Sequence, residues 1–120
     1  MLKDHNCGEL RLTHAGQTVT LAGWVHRRRD HGALLFIDLR DRSGLVQVTC
    51  DAQTAAAAHA VLNGVRNEYV VQVTGEVRPR PAGLANPNIE TGEIEVAVMA
   101  AQILNAARTT PFYINEDAAI

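Results

Sequence analysis

The feature that most constrains the fold is a pair of alternating runs, LLFIDLR and LVQVTC, joined by a short turn. In the first run Leu35, Ile37 and Leu39 are apolar, and the side chains between them are mostly polar. This period of two predicts a strand with one buried face, and Asp41-Arg42-Ser43-Gly44 predicts the turn of a hairpin. A chain built around this hairpin is expected to be mainly β.

One face of the predicted hairpin carries side chains that suit nucleic acid. Phe36 lies among the polar residues of the first run, and Gln47 lies on the outward face of the second. Arg40, Arg42 and the triplet Arg27-Arg28-Arg29 add guanidinium groups nearby. A ring can stack on an unpaired base, an amide can read a base edge, and guanidinium groups bind phosphates. The surface is therefore expected to face solvent and to bind single-stranded nucleic acid.

The remaining periodicity predicts three further strands and one helix. In chain order the expected elements are a strand at Thr18–Arg29, the hairpin, a helix at Gln53–Leu62, and strands at Tyr69–Arg80 and Glu93–Leu104. Gly23 inside the first strand predicts a bend or bulge. Asp51 is the expected N-cap of the alanine-rich helix.

The order of three strands, one helix and two strands is typical of one all-β architecture. It predicts a five-stranded Greek-key OB-fold barrel with its helix between strands 3 and 4. In this fold the face of strands 2 and 3 and the flanking loops bind oligonucleotides and oligosaccharides.

Composition excludes several classes of function. The formal net charge of −2 argues against a general polyanion binder, although ten of the eleven basic residues are arginines, leaving Lys3 as the lysine. No apolar run approaches the roughly 20 residues of a membrane span, and no secretion signal is visible, so a cytoplasmic protein without membrane contact is expected. Cys7 and Cys50 are expected to be free thiols, and the five histidines have no metal-ligand spacing.

A longer set of residues indicates a family. Residues Gly23–Val48, GWVHRRRDHGALLFIDLRDRSGLVQV, closely resemble the N-terminal anticodon-binding domain of bacterial aspartyl-tRNA synthetases. The resemblance continues through Asn67–Gly75, Arg78–Arg80 and Thr91–Val96, and covers about residues 5 to 117. PFYINED resembles the hinge before the family's class II catalytic domain. The resemblance as a whole implies a lead-in at 1–17, the barrel at 18–105, and a linker at 106–120 towards a missing catalytic domain.

The resemblance also implies contacts with a tRNA anticodon. The implied contact residues are Arg29, Phe36, Gln47, Arg78, Arg80, Asn86 and Glu95. Phe36 is expected to stack on an anticodon base, and Gln47 to bond to the central uridine. Arg29 is expected to contact bases or phosphates nearby. Arg78 and Arg80 are expected to hold the far side of the anticodon loop. Asn86 and Glu95 are expected at base edges.

Two further positions bear on the choice of tRNA. Bacterial synthetases that charge both tRNA(Asp) and tRNA(Asn) resemble this chain in having histidine at His31 and glycine at Gly83. The resemblance implies both tRNAs as partners, together with the chain's own catalytic domain in a full-length homodimer. ATP and Mg²⁺ are expected in that catalytic domain. No cofactor, metal or catalytic residue is expected in this one.

Two other classes stay open from the residues themselves. One is a free-standing OB-fold module that binds single-stranded nucleic acid without sequence preference. The other is a protein-interaction domain whose exposed strands dock a partner. Nucleic-acid titration separates the three readings.

Overall fold

A computed structural model describes residues 3–105. Two 3₁₀ turns, at Cys7–Glu9 and Leu12–His14, form the lead-in. The regular elements are β1 (Thr18–His31), β2 (Leu34–Asp41), β3 (Gly44–Asp51), α1 (Ala56–Leu62), β4 (Val70–Pro79) and β5 (Ile94–Asn105). The linker expected at 106–120 lies outside the described residues. Within residues 3–105 no helix has both the length and the apolar character needed to cross a membrane.

The five strands close into a barrel in the order β1-β2-β3-β5-β4. All neighbours are antiparallel except β3 and β5, which run parallel over a short stretch where Val48 pairs with Val96 and Thr49 with Ala97. α1 connects β3 to β4 and packs against β3 and β5. This confirms the predicted five-stranded OB-fold with its helix between the third and fourth strands.

The barrel interior is filled by the aliphatic side chains that the alternation predicts. Leu35, Ile37 and Leu39 of β2 are at most 1% exposed. Inward-facing residues of the other strands join them in one cluster: Val19, Leu21, Val25, Val46, Val48, Val71, Val73, Val77, Ile94, Val96 and Val98. Ala58 and Leu62 of α1 belong to the same cluster. The polar partners in each strand are thereby directed outwards, which creates the outer face described below.

β1 pairs with two strands, and Gly23 lies where its pairing changes from β4 to β2. Gly23 pairs with Val71 of β4, and Trp24 pairs both with Val70 of β4 and with Arg40 of β2. A Cβ added at Gly23 would lie 2.4 Å from the carbonyl oxygen of Arg40. Glycine therefore permits the close approach of β1 and β2 at this corner. The irregularity in register falls further along the strand than the sequence predicts, between Val25 and Arg27.

The helix begins later than the alanine-rich run predicts. α1 starts at Ala56, its N-cap position is Ala55, and no side chain caps it. Asp51 instead ends β3, and its carboxylate accepts the backbone N–H of Gln53 at 2.8 Å. The predicted N-cap at Asp51 is therefore wrong, because its side chain stabilises the turn that separates strand from helix.

The lead-in packs against the turn of the β2–β3 hairpin. The backbone N–H of Cys7 donates to Asp41 Oδ2 at 2.8 Å, and that of Gly8 donates to Ser43 Oγ at 2.7 Å. Burial alone would raise the pKa of Asp41, but hydrogen bonds from Ser43 and Cys7 outweigh it and hold the pKa below its usual range. The lead-in thus fixes one end of the barrel, away from the outer face of the central strands.

Candidate nucleic-acid interface

A groove of about 480 Å³ crosses the outward faces of the central strands. Five of the predicted contact residues line it: Phe36, Gln47, Arg78, Arg80 and Glu95. The strand registers account for the grouping, since Gln47 pairs with Asp38 of β2 and Arg78 pairs with Glu95 of β5. The parallel pairing of β3 with β5 brings Gln47 beside Glu95. One row of side chains therefore spans the sheet from β2 to β4.

Gln47 is held between two charged side chains. Its Oε1 accepts a hydrogen bond from Arg29 Nη2 at 3.0 Å, and its Nε2 donates to Glu95 Oε1 at 3.1 Å. Arg29 Nη2 also donates to Asp38 Oδ1 at 3.4 Å. Gln47 is 7% exposed, so it lies on the outward face as predicted but is covered rather than solvent-facing. Its carboxamide is already oriented in the free chain.

Phe36 is half-buried and is flanked by two side chains of β1. The guanidinium carbon of Arg29 lies 5.5 Å from the centre of the Phe36 ring. The His31 ring meets Phe36 edge-on, with centroids 5.2 Å apart and an interplanar angle of 79°. This group places a cation and an imidazole beside the ring on which a base is expected to stack.

The three arginines of the triplet have different surroundings, which the sequence pattern does not predict. The irregularity after Val25 resets the parity of β1, so Arg29 pairs with Phe36 on the outward face. Arg28 instead donates from Nη2 to the carbonyl oxygen of Asn63 at 2.9 Å and to Asp30 at 3.3 Å. Arg27 is exposed. Arg29 is therefore the member of the triplet in contact with both Phe36 and Gln47.

Arg78, in β4, and Arg80, directly after β4, differ in their surroundings. Arg80 Nε donates to the carbonyl oxygen of Ile94 at 3.0 Å. Burial lowers the pKa of the Arg80 guanidinium, and the carboxylates of Glu95 and Asp38 oppose that change. Arg78 is 59% exposed and pairs with Glu76 at 3.1 Å. Arg80 is thus a fixed positive charge within the groove, and Arg78 is an exposed one at its edge.

Four of the predicted positions do not line the groove: Arg29 and His31, which contact Phe36 beside it, and Asn86 and Gly83, which lie in the loop between β4 and β5. Asn86 Oδ1 accepts the backbone N–H of Asn88 at 3.0 Å, so its carboxamide shapes its own loop. Gly83 has a φ of +82° at an exposed turn, and a Cβ there would meet nothing within 4 Å. Pro81 and Leu84 of the same loop do line the groove. The roles of Asn86 and Gly83 stay predictions.

Several groove residues were not predicted as contacts. Leu34, Ala97 and Met99 line the groove together with Thr49, which is 8% exposed. The sequence does contain a signal for Met99, because Glu95, Ala97 and Met99 share the outward parity of β5. The signal for Leu84 is weaker, since a leucine in a loop rich in proline and glycine has no periodicity.

A second cavity, of about 570 Å³, lies elsewhere on the barrel and holds none of the predicted contact residues. Its lining includes Trp24, Val70 and Leu104, with Lys3 and Arg42 also present. Because neither Phe36 nor Gln47 lines it, it is not the candidate interface.

The lead-in brings together three possible metal ligands that sequence spacing does not reveal. Ligand-type atoms of His5, Glu9 and His14 lie within 4.8 Å of one another. Each side chain already has a hydrogen bond: His5 Nδ1 with Asp4 Oδ1 at 2.7 Å, Glu9 Oε1 with the Asn6 N–H at 3.0 Å, and His14 Nδ1 with the Arg11 N–H at 2.9 Å. These bonds explain the positions of the three side chains. The absence of a metal from the function stays a prediction.

Comparison with known proteins yields close relatives of much greater length. The chain is 59% identical over 114 residues to the aspartate–tRNA(Asp/Asn) ligase of Moorella thermoacetica. It is 55% identical over 114 residues to the aspartate–tRNA(Asp/Asn) ligase of Heliobacterium modesticaldum. Each alignment covers 95% of this chain and 19% of the relative. The chain thus spans about a fifth of the length of these curated relatives.

Solved structures share the fold. Asparaginyl-tRNA synthetase from Pyrococcus horikoshii, complexed with asparaginyl-adenylate, superposes with a TM-score of 0.75 at 26% identity, covering 93% of this chain and 24% of that one. OBody AM2EP06 bound to hen egg-white lysozyme gives a TM-score of 0.75 at 25% identity, covering 88% of this chain and 95% of that one. Residues 19–104 match the tRNA anti-codon family, an OB-fold nucleic acid binding domain, and the chain belongs to that family.

Proposed function

We propose that this chain binds the anticodon loop of tRNA(Asp), and also of tRNA(Asn), as the anticodon-recognition domain of an aspartate–tRNA ligase. The observation that carries the proposal is the contact of Arg29 with both Phe36 and Gln47 on one outward face. This arrangement supplies a ring for stacking, a carboxamide for a base edge and guanidinium groups for phosphates. The names of the relatives support the choice of tRNA.

Binding begins from an interface that is already paired within itself. A base edge that bonds to Gln47 takes the place of Arg29 or Glu95 on the carboxamide. When Arg29 is the group displaced, its guanidinium becomes available to a phosphate, whose oxygens suit its bidentate geometry. The neighbouring base stacks on Phe36 and gains about 1–3 kcal/mol. Arg78 and Arg80 bind the backbone on the far side.

In the parent ligase, aspartate would be activated with ATP and Mg²⁺ in a catalytic domain outside this chain. The present domain would hold the tRNA at a second point of a homodimeric enzyme, so that the acceptor end is delivered with less loss of freedom. His31, which touches the Phe36 ring, and Gly83 in the facing loop are the positions proposed to admit either tRNA.

Binding of anticodon stem-loops tests the proposal. Stem-loops carrying GUC, GUU and an unrelated triplet are titrated by fluorescence anisotropy at two salt concentrations. We expect the first two to bind with similar affinity and the third at least about 10-fold more weakly, since a wrong base leaves polar groups unpaired. Affinity should fall as salt rises, because phosphate contacts release counterions.

Two other outcomes would contradict the proposal in different ways. Equal affinity for all three loops and for unstructured homopolymers would indicate a general single-strand binder. No binding of any RNA at low salt would favour a protein-docking surface; OBody AM2EP06, which shares the fold, is bound to hen egg-white lysozyme.

A further inference from the structure

The outward face that is proposed to bind the anticodon carries two carboxylates as well as two guanidinium groups. Asp38 lies directly opposite Gln47 in the pairing of β2 with β3, and Glu95 bonds to Gln47 from β5. Burial lowers the pKa of the Arg80 guanidinium, and the charges of Glu95 and Asp38 oppose that change. The charge of Arg29 adds to the lowering. The two positive and two negative groups are therefore close enough to interact, and their formal charges cancel.

A neutral patch is not what the binding of phosphates alone would favour. Carboxylates repel the backbone of RNA, and the sequence-independent part of the affinity comes from arginine and lysine side chains that neutralise phosphates. Glu95 is expected at a base edge, which gives its carboxylate a contact in the complex. Asp38 has no proposed contact with RNA, so its position on this face requires another explanation.

Asp38 shares one nitrogen atom of Arg29 with Gln47. Arg29 Nη2 donates to Gln47 Oε1 at 3.0 Å and to Asp38 Oδ1 at 3.4 Å. Arg29 Nε is buried and has no hydrogen-bond partner within residues 3–105. Asp38 is 19% exposed, so water and salt screen this ion pair less than one on the open surface. Because both bonds come from one nitrogen, the guanidinium does not make the stronger bidentate contact with Asp38, and its hold can be released.

The two bonds to Arg29 differ in what can replace them. A base edge that presents a donor can take the place of Arg29 on Gln47 Oε1, which is an acceptor. Arg29 then keeps only the longer bond to Asp38, and a phosphate can compete for the guanidinium. An RNA without a suitable donor leaves both bonds in place, so its phosphate must displace the carboxylate and the amide together. Release of Arg29 therefore depends on the base that meets Gln47.

We propose that Asp38 is a positioning residue for selectivity, which withholds the Arg29 guanidinium from RNA phosphates until a base edge bonds to Gln47. The inference rests on the proposed anticodon function and deepens it, since it names a side chain that disfavours RNA with the wrong bases. Selectivity is a difference between two affinities, and it increases when the affinity for the wrong partner is lowered.

The substitution Asp38→Asn tests the role of the charge, because it keeps the shape of the side chain. Only neutral acceptors then hold Arg29, and a phosphate forms the stronger, charge-assisted bond. We expect the unrelated stem-loop to bind about 5-fold more tightly than to the unsubstituted chain, and the GUC stem-loop to change by less than about 2-fold. For the unrelated loop, the slope of log affinity against log salt should steepen by about 0.7, as one added phosphate contact predicts.

Asp30→Asn is the matched control. Asp30 accepts a hydrogen bond from Arg28 Nη2 at 3.3 Å, so it too is paired with an arginine of the triplet. Arg28 also bonds to the carbonyl oxygen of Asn63 and has no bond to Gln47. The control loses the same charge, and we expect all stem-loops to gain affinity alike by less than about 2-fold, because solvent screens this exposed pair. The ratio of the GUC affinity to the unrelated affinity should stay unchanged.

A double substitution shows whether Asp38 acts through Arg29. In the background Arg29→Gln the guanidinium is absent, so adding Asp38→Asn should leave the affinity ratio unchanged. Asp38→Glu keeps the charge and should retain weak binding of the unrelated loop. Melting temperatures check folding, and Asp38→Ser, which also removes the charge, gives the same measurement if the asparagine variant does not fold.

Three results would overturn the inference while leaving the unsubstituted chain selective for GUC. The affinity ratio could be unaffected by Asp38→Asn, or it could change as much in Asp30→Asn. The effect of Asp38→Asn could also be equal with and without the Arg29 guanidinium. A lack of preference for GUC in the unsubstituted chain would instead contradict the proposed function itself.

Discussion

At the scale of single residues, the interface is defined by a carboxamide whose two ends are both engaged. Gln47 bonds to Arg29 through its oxygen and to Glu95 through its nitrogen. These bonds fix which way round the amide lies, so a base edge that displaced one partner would find the amide still oriented by the other. Such pre-organisation lowers the entropy that binding must lose.

Replacing Gln47 with glutamate tests this pairing. In Gln47→Glu a second carboxylate would stand where the amide nitrogen lies 3.1 Å from Glu95. Two carboxylates at this distance raise the pKa of one of them, so destabilisation of about 1–3 kcal/mol is expected at pH 8 and should diminish as the pH falls towards 5. Urea unfolding at both pH values measures it. Gln17→Glu, at an exposed position, is the control, and an equal loss in both variants would contradict the pairing.

Phe36 gives a second test at the same scale. Phe36→Ala removes the ring face and should weaken stem-loop binding by about 1–3 kcal/mol, whereas Phe36→Trp keeps a stacking surface and should bind nearly as well as the unsubstituted chain. Calorimetric titration measures both, and melting temperatures confirm folding. Equal losses in the two variants would argue that the ring packs within the protein rather than stacks on RNA.

Sequence reasoning locates these residues only in part. Alternation predicts that Phe36 and Gln47 share a face, and the registers confirm it. It does not identify Arg29, because the irregularity after Val25 changes which side each later residue faces. It also misses the burial of Gln47, which arises from side chains on two other strands. Long-range neighbours of this kind are not encoded in local periodicity.

At the scale of elements, the corner of β1 depends on the absence of a side chain. Gly23→Ala would place a methyl group 2.4 Å from the carbonyl oxygen of Arg40. The backbones must move apart, so a loss of about 1–3 kcal/mol in the free energy of unfolding is expected. Gly64→Ala, where a Cβ would meet nothing within 4 Å, should change it by less than about 0.5 kcal/mol. Chemical denaturation compares the two, and similar values would refute the corner's steric role.

The element boundaries show where local rules compete. The residues before α1 favour a helix by composition, yet Asp51 bonds to Gln53 and forms a turn at the end of β3. β1 continues to His31 because β2 returns directly and pairs Leu34 with it. In both places a tertiary or turn interaction decides the outcome over the intrinsic preference of the segment.

At the scale of the whole molecule, the closed barrel and the lead-in that packs against it bury both thiols. Cys7 and Cys50 are free and buried. Burial and the charge of Asp51 raise the pKa of Cys50 to about 11, and burial raises that of Cys7 as well. Because the thiolate is the reactive form, an aromatic disulfide reagent at pH 8 should label neither thiol quickly in the native protein and both in denaturant. Rapid labelling of the folded chain would contradict closure.

The shortest strand pairing in the barrel is the parallel one between β3 and β5, in which Val48 pairs with Val96 and Thr49 with Ala97. Thr49 and Ala97 also line the groove, so an RNA strand bound there would contact both β3 and β5. A ligand that binds the closed barrel and not the open chain stabilises it by mass action. Binding of an anticodon loop would then hold β3 and β5 together from outside, so recognition of the RNA would raise the free energy of unfolding of the domain that recognises it.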